Sequence, residues 1–186
     1  MIDPTDPHGT PSASPAFVSI VCTVRNEARN LPSMLESLLL QQPPFEVILV
    51  DALSHDGTAD YAREFAAEHP GLLRVIERYG SRGIGRNTGA GEARAEWIAF
   101  IDGDCVADPG WLAALRRGFA RSDVVAGRTT VLGRGFYGPM ERVELYLEGS
   151  DVTYPSCNLG YRRYLFERLQ GFDPRFITAE DIDLNL

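Results

Sequence analysis

The sequence predicts an α/β domain in which helices flank a mostly parallel sheet. The first observation is a series of short apolar runs at residues 16–24, 45–50, 72–76 and 97–101, the first of them β-branched and apolar on both faces, as in a strand covered on two sides. Stretches with helical spacing separate these runs, which makes the opening of the chain two βαβ units. Polar or acidic clusters also close the runs, and in a parallel sheet they gather on one rim with the ligand-binding loops.

The elements follow in order. The strand at 16–24 ends in Arg25-Asn26-Glu27, and Asn30 stands where a helix cap belongs, with Pro32 in the first turn and Leu31, Met34, Leu35, Leu38 and Leu39 on one face. Pro43-Pro44 ends that helix, and the second strand stops at Asp51. Asp56-Gly57-Thr58 reads as an aspartate turn and cap for a helix reaching Glu68, and the third strand follows. The stretch from Gly80 to Asn87 comes next, and after it a helix is expected through Ala95. Gly83 and Gly85 lack the third glycine and the later acid of a dinucleotide fingerprint, so a Rossmann cofactor site is rejected. The strand at 97–101 runs into Asp102-Gly103-Asp104. Beyond it the pattern predicts a helix starting near Trp111, a strand over 124–132, an amphipathic helix over 139–148, a loop or short strand over 154–161, a helix over 163–169 and a turn at 171–174.

Composition narrows the function classes. A net charge of -8 argues against nucleic acid, since phosphate binding wants clustered cations. All 18 basic residues are Arg, which suits bidentate contacts to phosphate or carboxylate, although a coding bias explains the same count. Cys22, Cys105 and Cys157 are odd in number and lack metal spacing, which suggests reduced thiols in a cytoplasmic protein, free or peripheral at the membrane. Residues 1–15 carry Pro4, Pro7, Pro11 and Pro15 without the features of a signal peptide, and are expected to form a flexible tail before one domain over 16–186. No apolar run is long enough for a transmembrane segment.

Asp102 and Asp104 sit at a strand's carboxyl end with one glycine between them, so both can face one divalent cation. A turn formed by two acids is the plain alternative. A rim of carboxylates with a few arginines suits a metal-bound diphosphate, because Mg²⁺ or Mn²⁺ takes one or two carboxylates and completes its shell with phosphate oxygens and water.

The motifs taken in order resemble the family 2 glycosyltransferases, inverting enzymes of the GT-A fold that use nucleotide-diphosphate sugars. The resemblance runs from Val18 to Leu184. It rests on Arg25-Asn26-Glu27, Asp51 with Ser54, Asp56, Gly57 and Thr58, Arg86-Asn87 with Gly89, Asp102-Gly103-Asp104 with Pro109 and Trp111, Asn158 to Arg163, Gly171-Phe172-Asp173, and Glu180-Asp181 with Asp183 and Leu184. It implies that Thr23 and Asp51 line the nucleoside pocket, that Arg25, Asn26 and Glu27 stand with the donor, and that Arg82 reaches the base or phosphates. Asp104 would ligate Mg²⁺ or Mn²⁺, and Asp102 would hold the ribose or a metal-bound water. Asp181 would be the general base, with Glu180 and Asn158 on the acceptor side. The partners implied are a nucleotide-sugar donor and a hydroxyl acceptor: a sugar, a lipid-linked glycan or a small molecule. Relatives often carry a second acid after the Asp51 position; here it is Ala52, so the base is left unnamed.

Plainer roles stand beside these. Arg86 could cap its helix or pair with Glu92, Asn87 fixes a loop, His55 is a polar loop residue, and nothing offers Cys105 or Cys157 a base for nucleophilic work. Glu180, Asp181 and Asp183 could form a solvated acidic end, since the chain stops five residues past Asp181, as a domain truncated on its C-terminal side would. Two rival functions are a domain that binds a nucleotide-sugar without turnover, and a nucleotidyltransferase, whose glycine-rich signature after the first strand is missing.

Overall fold

The computed structural model describes residues 16–130, 146–147, 150–151, 154–176, 178 and 180–185. The chain runs β1 (Val18–Val24), α1 (Leu31–Leu39), β2 (Phe45–Asp51), α2 (Thr58–Glu68), β3 (Leu73–Glu77), α3 (Arg82–Gly91), β4 (Trp97–Asp102), α4 (Trp111–Phe119) and β5 (Val124–Ala126). It continues with β6 (Tyr146–Leu147), β7 (Ser150–Asp151), a 3₁₀ turn (Ser156–Asn158), β8 (Leu159–Arg162), α5 (Arg163–Arg168) and α6 (Glu180–Asn185). Six strands form the main sheet in the order β3-β2-β1-β4-β8-β5. The first four are parallel, and β8 is antiparallel to both of its neighbours.

Strand alternation builds two apolar layers. On one face Ile20, Cys22 and Val24 of β1 and Trp97, Ala99 and Ile101 of β4 pack under Leu31, Met34, Leu35 and Leu38 of α1 and Leu112, Leu115 and Phe119 of α4. On the other, Val21, Ile48, Val50, Ile98 and Phe100 meet Tyr161, Phe166 and Phe172. The Phe100 ring lies 5.4 Å from Phe166 and 5.3 Å from Phe172, edge to face with the latter. Gly89 lets α3 lie close on this face, since a Cβ there would collide with Val21.

Several local expectations are corrected. Asn30 occupies the cap position of α1, but its side chain donates to Glu27 Oε2 at 2.8 Å and caps nothing. Helix α3 begins at Arg82, within the stretch expected to precede it, because Ser81 caps it there by accepting from the Ile84 amide, and it ends at Gly91, short of Ala95. Strand β5 stops at Ala126, because Gly127 donates its N–H to the Asn158 carbonyl at 2.8 Å and lies against the Asn158 side chain; residues 131–132 of the expected strand lie outside the described residues. Of the helix expected over 139–148, residues 139–145 and 148 are likewise outside, while Tyr146–Leu147 is extended and pairs with Ser150–Asp151. Pairing with a partner strand satisfies that backbone in a way periodicity does not foresee.

A polar cluster pins the amino-terminal edge of the sheet. Glu46, at 2% exposure, accepts from Ser19 Oγ at 2.6 Å, Arg94 Nε at 2.8 Å and the Arg94 amide at 2.9 Å, and Ser19 Oγ accepts from the Ala95 amide. Desolvation pushes the Glu46 carboxyl upward, but the hydrogen bonds from Arg94 and Ser19 outweigh it and hold it below its ordinary value. A depressed folded-state value contributes stability above the ordinary carboxyl range and loses it as pH falls through the folded value. Glu46→Gln is therefore expected to destabilise the chain at pH 7, with the gap to wild type closing as urea unfolding is repeated toward pH 3. A gap that stays constant across that range would count against the assignment.

Candidate active site

The parallel register sets one rim. Val24 pairs with Asp51 and Thr23 with Asp102, so the ends of β1, β2 and β4 lie side by side. The loops after β1 and β2 are laced together. The Asn26 amide donates to Ser54 Oγ at 2.8 Å, the His55 amide to Asn26 Oδ1 at 2.9 Å, the Glu27 amide to Thr58 Oγ1 at 2.8 Å and the Ala28 amide to Asp56 Oδ2 at 3.0 Å. Asn26 and Leu53 take left-handed backbone conformations (φ 56° and 57°) to make these turns, an arrangement non-glycine residues keep only where surrounding contacts hold them. Asp56 also accepts from the Thr58 amide and hydroxyl, the aspartate turn the sequence predicted.

Asp51 is buried at 1% exposure, with Oδ2 accepting from the Ser54 amide at 2.8 Å and Oδ1 from the Ser54 hydroxyl. Beside it opens a cavity of about 400 Å³ lined also by Leu53, Ser54, His55, Arg63 and Glu77, toward β3 and away from Asp102. Thr23 faces α3, where a Cβ at Gly85 would approach its methyl to 2.8 Å. Arg25 and Arg82 are exposed.

The acidic turn after β4 shows why glycine separates its two aspartates. A Cβ at Gly103 would come within 2.6 Å of Val24 Cγ1 and 3.3 Å of Glu27 Cγ, so the turn presses onto the end of β1. Asp104 is exposed, and Asp102 is 28% exposed with Oδ1 accepting from Arg86 Nη2 at 2.6 Å. Arg86, buried at 1%, gives its other terminal nitrogen to Glu180 Oε1 at 2.5 Å. Burial alone would favour the neutral guanidine, but Asp102 and Glu180 outweigh it and keep the group cationic. The pairing expected with Glu92 is not made; Glu92 instead takes Arg74. Asn87 does fix a loop, donating to the Phe172 carbonyl at 2.7 Å and accepting its amide at 2.9 Å.

This bridge brings the Glu180-Asp181 segment to the rim across 94 positions of sequence. Asp181 Oδ2 accepts from the Ser156 amide at 3.0 Å and from its hydroxyl at 3.3 Å, which ties it to the 3₁₀ turn before β8. Asn158 in that turn accepts from Trp111 Nε1 at 2.8 Å and donates to the Arg128 carbonyl at 3.1 Å. Glu180 is buried at 4% and directs its carboxylate to Arg86. Cys105 and Cys157 meet between the acidic turn and the 3₁₀ turn, where the Cys105 thiol donates to Cys157 and is raised while Cys157 is lowered. Sequence reasoning picked out Arg86 within the Arg86-Asn87-Gly89 motif but not its partners Asp102 and Glu180; the signal for its burial is a charged residue on a helix face otherwise made of glycine and alanine.

Comparison with known proteins places this geometry. The profile of glycosyl transferase family 2 matches residues 19–170, and the chain belongs to that family. It is 33% identical over 153 residues to the glycosyltransferase AglE of Haloferax volcanii, covering 80% of this chain and 44% of that protein. It is 30% identical to the pre-mycofactocin glycosyltransferase of Mycobacterium tuberculosis, covering 99% and 42%. The chain thus spans less than half the length of these two relatives. Among solved structures, Staphylococcus aureus TarS 1-349 in complex with UDP-GlcNAc superposes with a TM-score of 0.72 at 25% identity, covering 91% of this chain and 52% of that one. The mannosyltransferase PcManGT from Pyrobaculum calidifontis, with GDP-Man and Mn²⁺, gives 0.69 at 25% identity, covering 91% and 50%. The fold is therefore GT-A, as the resemblance implied, and the nucleotidyltransferase alternative falls away. Among the described residues no helix is long and apolar enough to cross a membrane.

Gly103→Ala is expected to destabilise the chain by about 1–3 kcal/mol through overpacking on Val24. Gly110→Ala, whose added Cβ approaches nothing closer than Asp108 Oδ1 at 3.5 Å, serves as the comparison. Equal unfolding midpoints for the two variants would contradict the packing argument.

Proposed function

We propose that this chain holds the donor-binding and catalytic part of an inverting glycosyltransferase, which moves a sugar from a nucleotide-diphosphate donor to an acceptor hydroxyl. The observation that carries the reading is the Arg86 bridge, which brings Asp181 of the last helix to the same rim as Asp102 and Asp104. The UDP-GlcNAc and GDP-Man bound by the similar structures support a nucleotide-sugar donor. Asp51 and its neighbouring cavity offer the nucleoside a place at the carboxyl end of β2. Arg82, exposed at the first turn of α3, would reach the base or phosphates.

The acidic pair fits a divalent cation. Asp104 is exposed, Asp102 keeps Oδ2 beyond its bond to Arg86, and both are hard oxygen donors. Two carboxylates meet the need of Mg²⁺ or Mn²⁺, which bind through one or two carboxylates plus substrate phosphates and water. When bound, such a cation supplies charge neutralisation for the departing diphosphate.

The protein's own residues do the rest. Ser156 occupies Asp181 Oδ2 with its amide and hydroxyl, while Oδ1, which accepts only from the Ile182 amide at 3.0 Å among the described residues, keeps a second lone pair for an acceptor proton. Asp181 takes that proton as the acceptor oxygen bonds to the anomeric carbon and the bond to the diphosphate oxygen breaks on the opposite face. One carboxylate beside the sugar suffices, because inversion in one displacement forms no enzyme-bound sugar.

Incubation with Mn²⁺ and a panel of nucleotide-sugars, read by thermal shift and by nucleoside-diphosphate release, tests the reading. A shift with release is expected for at least one donor; a shift without release would favour a binding module instead, and no shift with any donor would sink both. Asp181→Asn should lower transfer by about 10²- to 10⁴-fold while leaving the donor-induced shift nearly intact. Loss of both together would remove Asp181 from the role. Chelation of divalent cations with EDTA should abolish release, and added Mn²⁺ should restore it.

A further inference from the structure

We propose that Arg86 is a positioning residue that couples the two sides of the site: one arm aims the Asp102 carboxylate on the donor side, and the other, through Glu180, seats Asp181 on the acceptor side. The inference rests on the functional reading above. Its geometry is a single buried fork, with Nη2 to Asp102 at 2.6 Å and Nη1 to Glu180 at 2.5 Å. A planar guanidinium holds two carboxylates at fixed angles through separate nitrogens, whereas the ammonium of lysine is a single point charge on a flexible stem that does not fix their relative aim.

The surface around the fork is shaped for the segment that carries Asp181. Gly83, one turn earlier on α3, leaves room for Phe172 and Glu180, which would stand 3.2 and 3.7 Å from a Cβ there. Asn87, next to Arg86, clamps the Phe172 backbone through both of its amide atoms. The Phe172 ring lies under the guanidinium, 5.5 Å from Cζ to the ring centre. This face of α3 is therefore a floor on which the segment before Asp181 rests.

The two acids share the fork between them. Arg86 Nε has no hydrogen-bond partner among the described residues, so the side-chain hydrogen bonds of the group there are those to Asp102 and Glu180. One positive charge is shared between two carboxylates, which leaves Asp102 part of its negative charge for a cation. Removing the charge of Glu180 turns the whole guanidinium toward Asp102 and weakens its hold on a metal.

Glu180→Gln, close in shape, is the decisive variant, with Arg86→Lys and the double variant beside it. Each is assayed as the whole chain for Mn²⁺ affinity by electron paramagnetic resonance without donor, and for transfer kinetics. We expect Glu180→Gln to weaken Mn²⁺ binding by about 5-fold or more, although Glu180 is not a metal ligand, and to lower kcat more than it raises donor KM. A displaced base lowers kcat by up to about 10²-fold. In the Arg86→Lys background the same change should leave Mn²⁺ affinity unmoved. Unchanged Mn²⁺ affinity in Glu180→Gln, an equal effect in both backgrounds, or no Mn²⁺ binding by the wild-type chain would each overturn the coupling. The two readings separate cleanly. A wild-type chain without turnover that still shows the Mn²⁺ coupling refutes the transferase reading alone, whereas turnover with no coupling refutes the role of Arg86 alone.

Discussion

A guanidinium buried away from water imposes a strict condition on the chain around it. It keeps its charge only if anionic partners replace the water it has lost. Arg86 meets that condition with Asp102 at the end of β4 and Glu180 at the start of α6, so three separated segments must arrive together for the group to be tolerated. Removing one partner of a buried pair typically costs about 3–5 kcal/mol, because a charge is left without compensation. The placement of α6, the loop of Phe172 and the aim of the acidic turn all follow from this one requirement.

The rest of the architecture frames that junction. The parallel strands bring three chain ends to a common rim, and the loops after β1 and β2 are bonded to each other rather than left to solvent. On the face beneath α3, Phe100 packs tilted against Phe166 and edge to face against Phe172, so the ring under the guanidinium is itself part of the core. Rigid packing therefore extends without a break from the centre of the sheet to the charged fork. At the opposite edge Glu46 does for the amino-terminal ends of the strands what Arg86 does for the rim.

Much of this could be read in the sequence because it is local. The apolar strands, the aspartate turn at Asp56 and the acidic turn after β4 are each encoded within a few residues, and strand parallelism then gathers the ends. What escaped reading depends on partners far away in the chain. Arg86 and Glu180 are 94 positions apart, and nothing near either names the other. Asn26 Oδ1 and the Glu27 amide join two loops, a use the sequence does not name because it depends on Ser54, His55 and Thr58. Asn30 had the right identity and place for a cap, but its side chain turns to donate to Glu27 Oε2 and its oxygen takes no capping hydrogen bond. Pairing of Tyr146–Leu147 with Ser150–Asp151 likewise overrode a helical periodicity.

The reversal of β8 determines how the chain beyond the parallel strands is attached. Because β8 runs against β4, it brings its beginning to the rim, and Ala126 at the end of β5 pairs with Leu159 at the start of β8. The connection between those two strands thus departs from and returns to the same edge of the molecule. Its length can change at an entropic cost that grows only with the logarithm of the number of residues. A change in that length leaves the pairing of the four parallel strands and the register of their rim as they are, so the two parts of the scaffold can vary independently.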